Sequence, residues 1–311
     1  MTDAREVFSA RRIARVIGWL LVLAFMAYMI RVLARDMGSL EALTVHRSLL
    51  VFHVAAVALS FAGLLAGWYF VVRAMKSTAS IPHTGIAWLL ANMGKYVPGK
   101  VLMVGARIEL MRKADLRRAE TVMAMTLEHV AMLLAALPFT LYGVLAGLSA
   151  PGYWSYAVLG CGAAVALLFA LRPLLLIDGL NRLLLRFKRV PLDRKIHRGT
   201  FALSFLIYAV SWTLYGWAGW LLVQAMGEAF PGPALIVMAV SVAAWTIGFC
   251  SFITPGGLGV REAVFAGFLG QHMPMAQALA CAAAFRITWT LVEWGGVAIG
   301  GAWSAYSRMR V

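Results

Sequence analysis

The sequence predicts an all-α integral membrane protein of about six full transmembrane helices and two Pro-Gly-broken re-entrant hairpins, arranged as an inverted repeat. Three observations predict it. Apolar residues make up 62% of the chain and charged residues only 13%, against roughly 45–50% and about 25% in soluble domains. The apolar residues fall into runs close to the ~20 residues that cross a bilayer core. Two stretches, 91–118 and 251–270, are too polar and too broken to cross. Each carries a Pro-Gly step, Pro98-Gly99 and Pro255-Gly256, 157 positions apart.

In chain order, residues 2–15 form a short basic head and 16–34 the first span. The span lacks a small-residue cleavage site and so differs from a signal peptide. Residues 35–47 form a mixed-charge loop. The second span, 48–72, carries His53 and Gly63-x-x-x-Gly67, a spacing that lets helices approach closely. The basic link 73–80 leads into the first hairpin, 81–111. Proline removes a backbone donor and clashes with the preceding turn, so Pro98-Gly99 divides this segment into two half-helices. The third span, 119–148, holds Glu128 and His129, and Pro151-Gly152 turns into the fourth, 153–177. Residues 178–198 form a basic loop in which Leu180, Leu183, Leu184 and Phe187 share one face, the pattern of an amphipathic surface helix. The fifth span, 200–226, precedes a Pro231-Gly232-Pro233 turn, and the second hairpin occupies 234–270. The last span, 275–306, carries Arg286 and Glu293. Cys161, Cys250 and Cys281 lie in apolar runs without metal-like spacing and are expected in the core. Trp68, Tyr69, Trp212, Tyr215, Trp217 and Trp303 are expected in interfacial belts.

Sliding the chain by 157 residues superposes the Pro-Gly steps, lays the second span on the fifth and the third on the last, and brings Glu128-His129 onto Phe285-Arg286. The chain therefore divides as one polytopic membrane domain, 1–311. Its first repeat is 48–148 with hairpin 81–111. Its second is 200–306 with hairpin 234–270, and the basic loop 178–198 between them is expected in the cytoplasm.

Charge placement gives the orientation. With the N-terminus in the cytoplasm, two spans precede the first hairpin, which then enters from the inside. Three more place the second hairpin on the outside, and the last returns the C-terminus to the cytoplasm. Four Lys or Arg fall in the head, nine in 73–118, seven in 182–198 and two in the tail, so 22 of 28 lie inside. This is the positive-inside bias. It accounts for the net charge of +15 without a nucleic-acid partner. A cell inner membrane location follows from the same reading.

Chemistry concentrates in the hairpins. Non-helical backbone at membrane depth persists only where protein or a water-filled cavity surrounds it. Half-helix N-termini carry partial positive charge suited to an anion. Lys95, Lys100 and Arg107 surround the first break, with Tyr96 just before it. Gly256-Gly257-x-Gly259 allows close backbone approach at the second, and Arg261-Glu262 follows at once. Glu128, Arg286 and Glu293 lie inside spans, where a charge costs at least about 2.5–3.5 kcal/mol and marks a functional candidate. Competing readings stand beside these. Lys95 and Lys100 could snorkel to the interface, and Arg107 with Glu109 could be a solvated helix face. Arg261-Glu262 could be a surface pair, and Arg286, Glu293 and Glu128 a buried structural group. His53 and His129 read as structural, since no ligand partner sits at metal spacing. No cofactor or metal motif is visible.

The run Asn92-x-x-Lys95-Tyr96-x-Pro98-Gly99-Lys100, then Arg107, Glu128, Pro255-Gly256-Gly257-x-Gly259-x-Arg261-Glu262 and Arg286, resembles the lysylphosphatidylglycerol synthase transmembrane family. These flippase-like proteins include the membrane half of the multiple peptide resistance factors. The resemblance covers nearly the whole chain. It implies a lipid-translocating domain, with members linked to aminoacylated phospholipids, glycolipids, hopanoids or polyprenyl-linked sugars. The soluble synthase domain of the fused members is absent from this sequence, so aminoacyl transfer is not expected. The Lys-Tyr-x-Pro-Gly-Lys form departs from the Gly-rich version of the fused proteins, which leaves open whether lysylphosphatidylglycerol is the substrate.

The expectation is a lipid flippase or transporter, not an enzyme, that moves a phospholipid, glycolipid or polyprenyl-phosphate between leaflets by alternating access. Lys95, Lys100, Arg107 and Arg286 are expected to neutralise phosphate. Glu128, Glu262 and Glu293 are expected to pair with those cations or with substrate groups. The alternative is an integral-membrane enzyme, with Glu128 and His129 as general base, or an accessory subunit to a separately encoded transferase. The expected partners are a membrane lipid and that transferase.

Overall fold

The computed structural model describes residue 23, 26–28, 30–32, 34–35, 45–96, 101–112, 116–148, 153–186, 196–226, 230–251 and 254–308. The expected first span lies largely outside these, as do Pro98, Gly99 and Lys100. All described elements are helical, in keeping with the all-α expectation. In order they are α1 (Arg47–Ala74), α2 (Ile81–Asn92), a 3-10 turn (Met93–Tyr96), α3 (Val101–Arg112), α4 (Arg118–Leu148), α5 (Tyr153–Leu171), α6 (Pro173–Arg186), α7 (Arg198–Ala225), α8 (Ala234–Cys250), a second 3-10 turn (Pro255–Gly257), α9 (Val260–Leu269) and α10 (Met275–Arg308).

Length separates two kinds of helix. Five described helices, α1, α4, α5, α7 and α10, are long and apolar enough to cross a membrane. At 1.5 Å per residue, α2 and α3, of 12 residues each, and α9, of 10, reach only about 15–18 Å of a ~30 Å hydrocarbon core. α2 packs on α3 and α8 on α9, so the short helices form two hairpin-like units. Ser80 starts α2: its hydroxyl accepts the His83 N–H at 3.4 Å, with Pro82 in the first turn.

α1 and α7 form the central pair, and they run antiparallel. The His46 N–H donates to the Ala225 carbonyl at 2.9 Å, and the His197 N–H to the Ala74 carbonyl at 2.8 Å. Each helix thus starts against the end of the other. His46 and His197 are 151 residues apart, as are Ala74 and Ala225. Ser60 and Ser211, also 151 apart, meet through a 2.9 Å bond from Ser60 Oγ to the Ser211 carbonyl. Gly63 and Gly67 make the approach possible: a Cβ on Gly63 falls on the Ser211 hydroxyl, and one on Gly67 falls on the Tyr208 ring. Two lipid-immersed helices gain little from hydrophobicity, so close packing of small residues does the holding.

The remaining contacts exchange between the halves. α2 packs on α10 as α8 packs on α4, and α3 packs on α4 as α9 packs on α10. The two 3-10 turns touch each other. The 157-residue offset holds for the starts of α4 and α10. The central pair keeps the offset of 151; the difference arises after it, mainly because α8, at 17 residues, is longer than α2, at 12, and the link after α7 is longer than the link after α1.

Three expectations are corrected. The fourth span is not continuous over 153–177: α5 ends at Leu171, Arg172 is non-helical and Pro173 starts α6, since a proline ring disfavours helix at the residue before it. The loop 178–198 is accordingly helical to Arg186, while 187–195 and the side chains of Leu180, Leu183 and Leu184 lie outside the described residues. Trp68, Trp212 and Tyr215 sit in the core and not in a belt, whereas Trp217 and Trp303 are exposed. Cys281 is buried, but Cys161 and Cys250 are exposed. Lipid solvates apolar side chains, so hydropathy alone does not separate core from lipid-facing surface.

Candidate functional site

The charged side chains gather where the two hairpins meet, in three groups. The first centres on Arg107 of α3, which is 1% exposed. One guanidinium nitrogen donates to Glu128 of α4 at 2.5 Å and another to the Asn92 side chain at 2.7 Å. The guanidinium lies 4.7 Å from the Trp68 ring and 5.8 Å from Trp88. Trp88 donates its indole N–H to the other Glu128 oxygen at 2.6 Å. Both carboxylate oxygens are thereby occupied, as charge-assisted bonds in an enclosed site favour. Glu109 separates from Arg107 and pairs with Arg112 on the exposed face at 2.8 Å.

The second group crosses between the halves. Glu293 of α10, fully buried, accepts from Lys95 Nζ at 2.5 Å and from the Tyr96 hydroxyl at 2.9 Å. Both donors sit in the 3-10 turn that follows α2. A turn without regular i→i−4 bonds can aim two successive side chains at one carboxylate, which a helix cannot.

The third group belongs to the second hairpin. Gly256, Gly257 and Gly259 have φ of +59°, +72° and +83°. At Gly257 the need for glycine is double, because a Cβ there lies 2.6 Å from the Gly248 carbonyl oxygen. The resulting turn delivers Arg261 and Glu262 at the start of α9. Glu262 accepts the Gly259 N–H at 2.8 Å, closing the helix start. Its other oxygen lies 3.5 Å from Arg286 Nε. Arg286 also donates to the Gly256 carbonyl at 3.4 Å. Arg261 turns away from Glu262 and lies over Trp245, 4.8 Å from the ring, with its Nε enclosed and unbonded.

The turns abut: a Cβ on Gly256 lies 3.5 Å from the Tyr96 ring. Between them is a cavity of about 70 Å³ reached by Asn92, Lys95, Glu128, Gly256, Gly257 and Arg261. A second cavity, of about 30 Å³, is lined by Tyr215, Arg261, Glu262 and Arg286, and Arg261 and Trp289 border both. These volumes hold a few waters and no lipid headgroup. Aromatic rings wall the region: Trp289 meets Phe61 at 5.7 Å and Tyr215 at 5.2 Å, edge to face.

Of the residues singled out in the sequence, Asn92, Lys95, Tyr96, Arg107, Glu128, Gly256, Gly257, Gly259, Arg261, Glu262, Arg286 and Glu293 come together here. The Pro255 backbone lies in the second turn. Arg286, Glu293 and Glu128 do not pair with one another; each takes a different partner. His129 directs Nδ1 at its own helix's Met125 carbonyl, 2.6 Å away, and stacks on Phe249. His53 Nδ1 lies 2.8 Å from the Ala218 carbonyl, tying α1 to α7. Sequence reasoning missed Trp88, Trp245 and Trp289. A signal existed for two of them: Trp88 precedes Asn92 by four residues, and Trp289 lies three after Arg286 and four before Glu293, all on one helix face.

Long apolar helices around a buried charged junction define a multi-pass helical membrane protein with a polar interior. The chain belongs to the lysylphosphatidylglycerol synthase TM region family, whose model matches residues 10–295. No curated protein matches it. The family acts on lipids, so this is a membrane protein of a lipid-related family.

Proposed function

We propose that the chain is a lipid flippase. It carries a lipid with an anionic headgroup (phospholipid, glycolipid or polyprenyl-phosphate) between leaflets by alternating access, without chemical change to the lipid. The observation that carries this reading is the cavity at the junction of the two turns, which charged residues of both hairpins reach. Buried charge of this kind at membrane depth is costly unless used, and broken helices from two halves facing one cavity are the arrangement of secondary transporters. The cavity is too small for a headgroup, so this conformation is a closed one, and substrate entry requires the halves to separate.

The antiparallel α1–α7 pair and the exchanged contacts support an inverted repeat. In this reading six helices cross, the segment 16–34 being the first. The units α2–α3 and α8–α9 are re-entrant, one from each side. Both termini face the cytoplasm of a cell inner membrane, following the distribution of Lys and Arg. Both oxygens of Glu128 are taken, which favours transport over a general-base role for that residue.

The test is leaflet exchange of labelled lipids in proteoliposomes containing only this chain, beside Glu262→Ala and Arg286→Ala variants shown to be folded. The expected result is exchange by the native chain, reduced at least tenfold in both variants. Folded native protein that exchanges no lipid contradicts the proposal.

A further inference from the structure

Among the described residues the junction holds four cations, Lys95, Arg107, Arg261 and Arg286, and three carboxylates, Glu128, Glu262 and Glu293. Their pairing is uneven. Glu128 is occupied by Arg107 and Trp88, and Glu293 by Lys95 and Tyr96. Glu262 is held by the Gly259 N–H on one oxygen and faces Arg286 with the other, which is enclosed. Among the described residues each of the three carboxylates thus faces a cation of its own, although the Glu262 oxygen toward Arg286 makes no hydrogen bond. One cation, Arg261, has no carboxylate within ion-pair distance among the described residues, and it borders both cavities.

The site around Arg261 is built. A Cβ on Gly248 falls on its Cγ, and one on Gly257 lies 3.0 Å from its Nε. Glycine at both positions therefore leaves the channel in which the side chain lies. Trp245 supplies the face on which the guanidinium rests, an interaction worth more when desolvated. The Nε–H has no acceptor although it is cut off from solvent. Buried donors are rarely left so. An arginine held flat, with an unused donor, is suited to bidentate binding of a phosphate or phosphodiester.

From this excess of one cation we infer that the carried lipid has a net-negative phosphate headgroup without a compensating ammonium, and that Arg261 receives its phosphate. A lipid whose headgroup bears an added amine, such as an aminoacylated phospholipid, brings a positive group into a site whose described carboxylates each already face a cation, and is selected against. This rests on the transport reading above and specifies its substrate class.

The experiment has two arms, both on the full chain. In detergent, binding of short-chain phosphatidylglycerol and of its lysyl ester is measured by titration calorimetry. The chains compared are native, Arg261→Gln and Arg261→Lys, each first shown to be monodisperse and to keep its melting temperature within a few degrees. In proteoliposomes, leaflet exchange of the same two headgroups is compared. The expected result is a preference for the unmodified anion of about tenfold or more. A ten- to hundredfold loss in Arg261→Gln, the scale of a hydrogen bond to a charged group, and partial retention in Arg261→Lys are also expected. Equal or tighter binding of the lysyl ester overturns the inference, as does an anion affinity that Arg261→Gln leaves unchanged. Selective anion binding without exchange of any lipid leaves the inference standing and defeats the transport reading instead.

Discussion

Arg107 and Glu128 carry opposite charges at almost no exposure, and such a pair is costly to break singly. Arg107→Met or Glu128→Gln leaves one buried charge unmatched, a destabilisation of about 3–5 kcal/mol. The double variant removes both charges and is expected to lose far less than the sum of the two, a coupling that chemical unfolding in detergent measures. Additive losses contradict a paired structural role. Gly257→Ala is expected to lower stability by about 1–2 kcal/mol through its left-handed backbone alone, and further through its approach to the Gly248 carbonyl. Gly105 offers the opposite case. A Cβ there meets nothing within 4 Å, so Gly105→Ala inside α3 is expected to gain up to about 1 kcal/mol by helix propensity. At this scale the sequence displayed the candidates but not their partners. Arg286, Glu293 and Glu128 read naturally as one group, yet each found a separate partner. Spacing along a helix fixes which residues share a face, not what faces them. Trp245 was silent because a tryptophan in an apolar run looks alike whether it faces lipid or a guanidinium.

Among the elements, the α1–α7 pair is the one whose integrity the rest depends on. Gly67→Val drives a branched side chain into the Tyr208 ring. Overpacking of this kind costs typically about 1–3 kcal/mol. A fall in melting temperature is expected, and an unchanged one contradicts the close approach. The elements were the most legible level of the fold. Apolar runs of bilayer length located α1, α4, α7 and α10 to within a few residues, because the bilayer imposes both length and composition. The Pro255-Gly256 step located the turn between α8 and α9, while Pro98-Gly99 lies outside the described residues. The end of α5 was missed because residues 153–177 are apolar almost throughout, and the backbone restriction before Pro173 overrides hydropathy. The exposure of Cys161 and Cys250 was missed for the related reason that lipid accepts them.

At the level of the whole molecule, the halves are joined by reciprocal bonds at the ends of α1 and α7 and by the Glu293 group, which links the first hairpin to the last helix. The proposed transport requires the junction between the two turns to open, since its cavities measure only about 70 and 30 Å³. A tether between the halves, placed away from the charged residues, therefore decides the matter. A Cβ on Gly300 of α10 lies 3.7 Å from Ile86 Cγ1 of α2, close enough for an Ile86→Cys, Gly300→Cys pair to be oxidised to a disulfide. The most direct measurement is leaflet exchange of labelled phosphatidylglycerol by this double-cysteine chain in proteoliposomes, before oxidation, after it and after reduction. The account predicts exchange that stops on oxidation and returns on reduction. Exchange that continues at the same rate with the disulfide formed contradicts it.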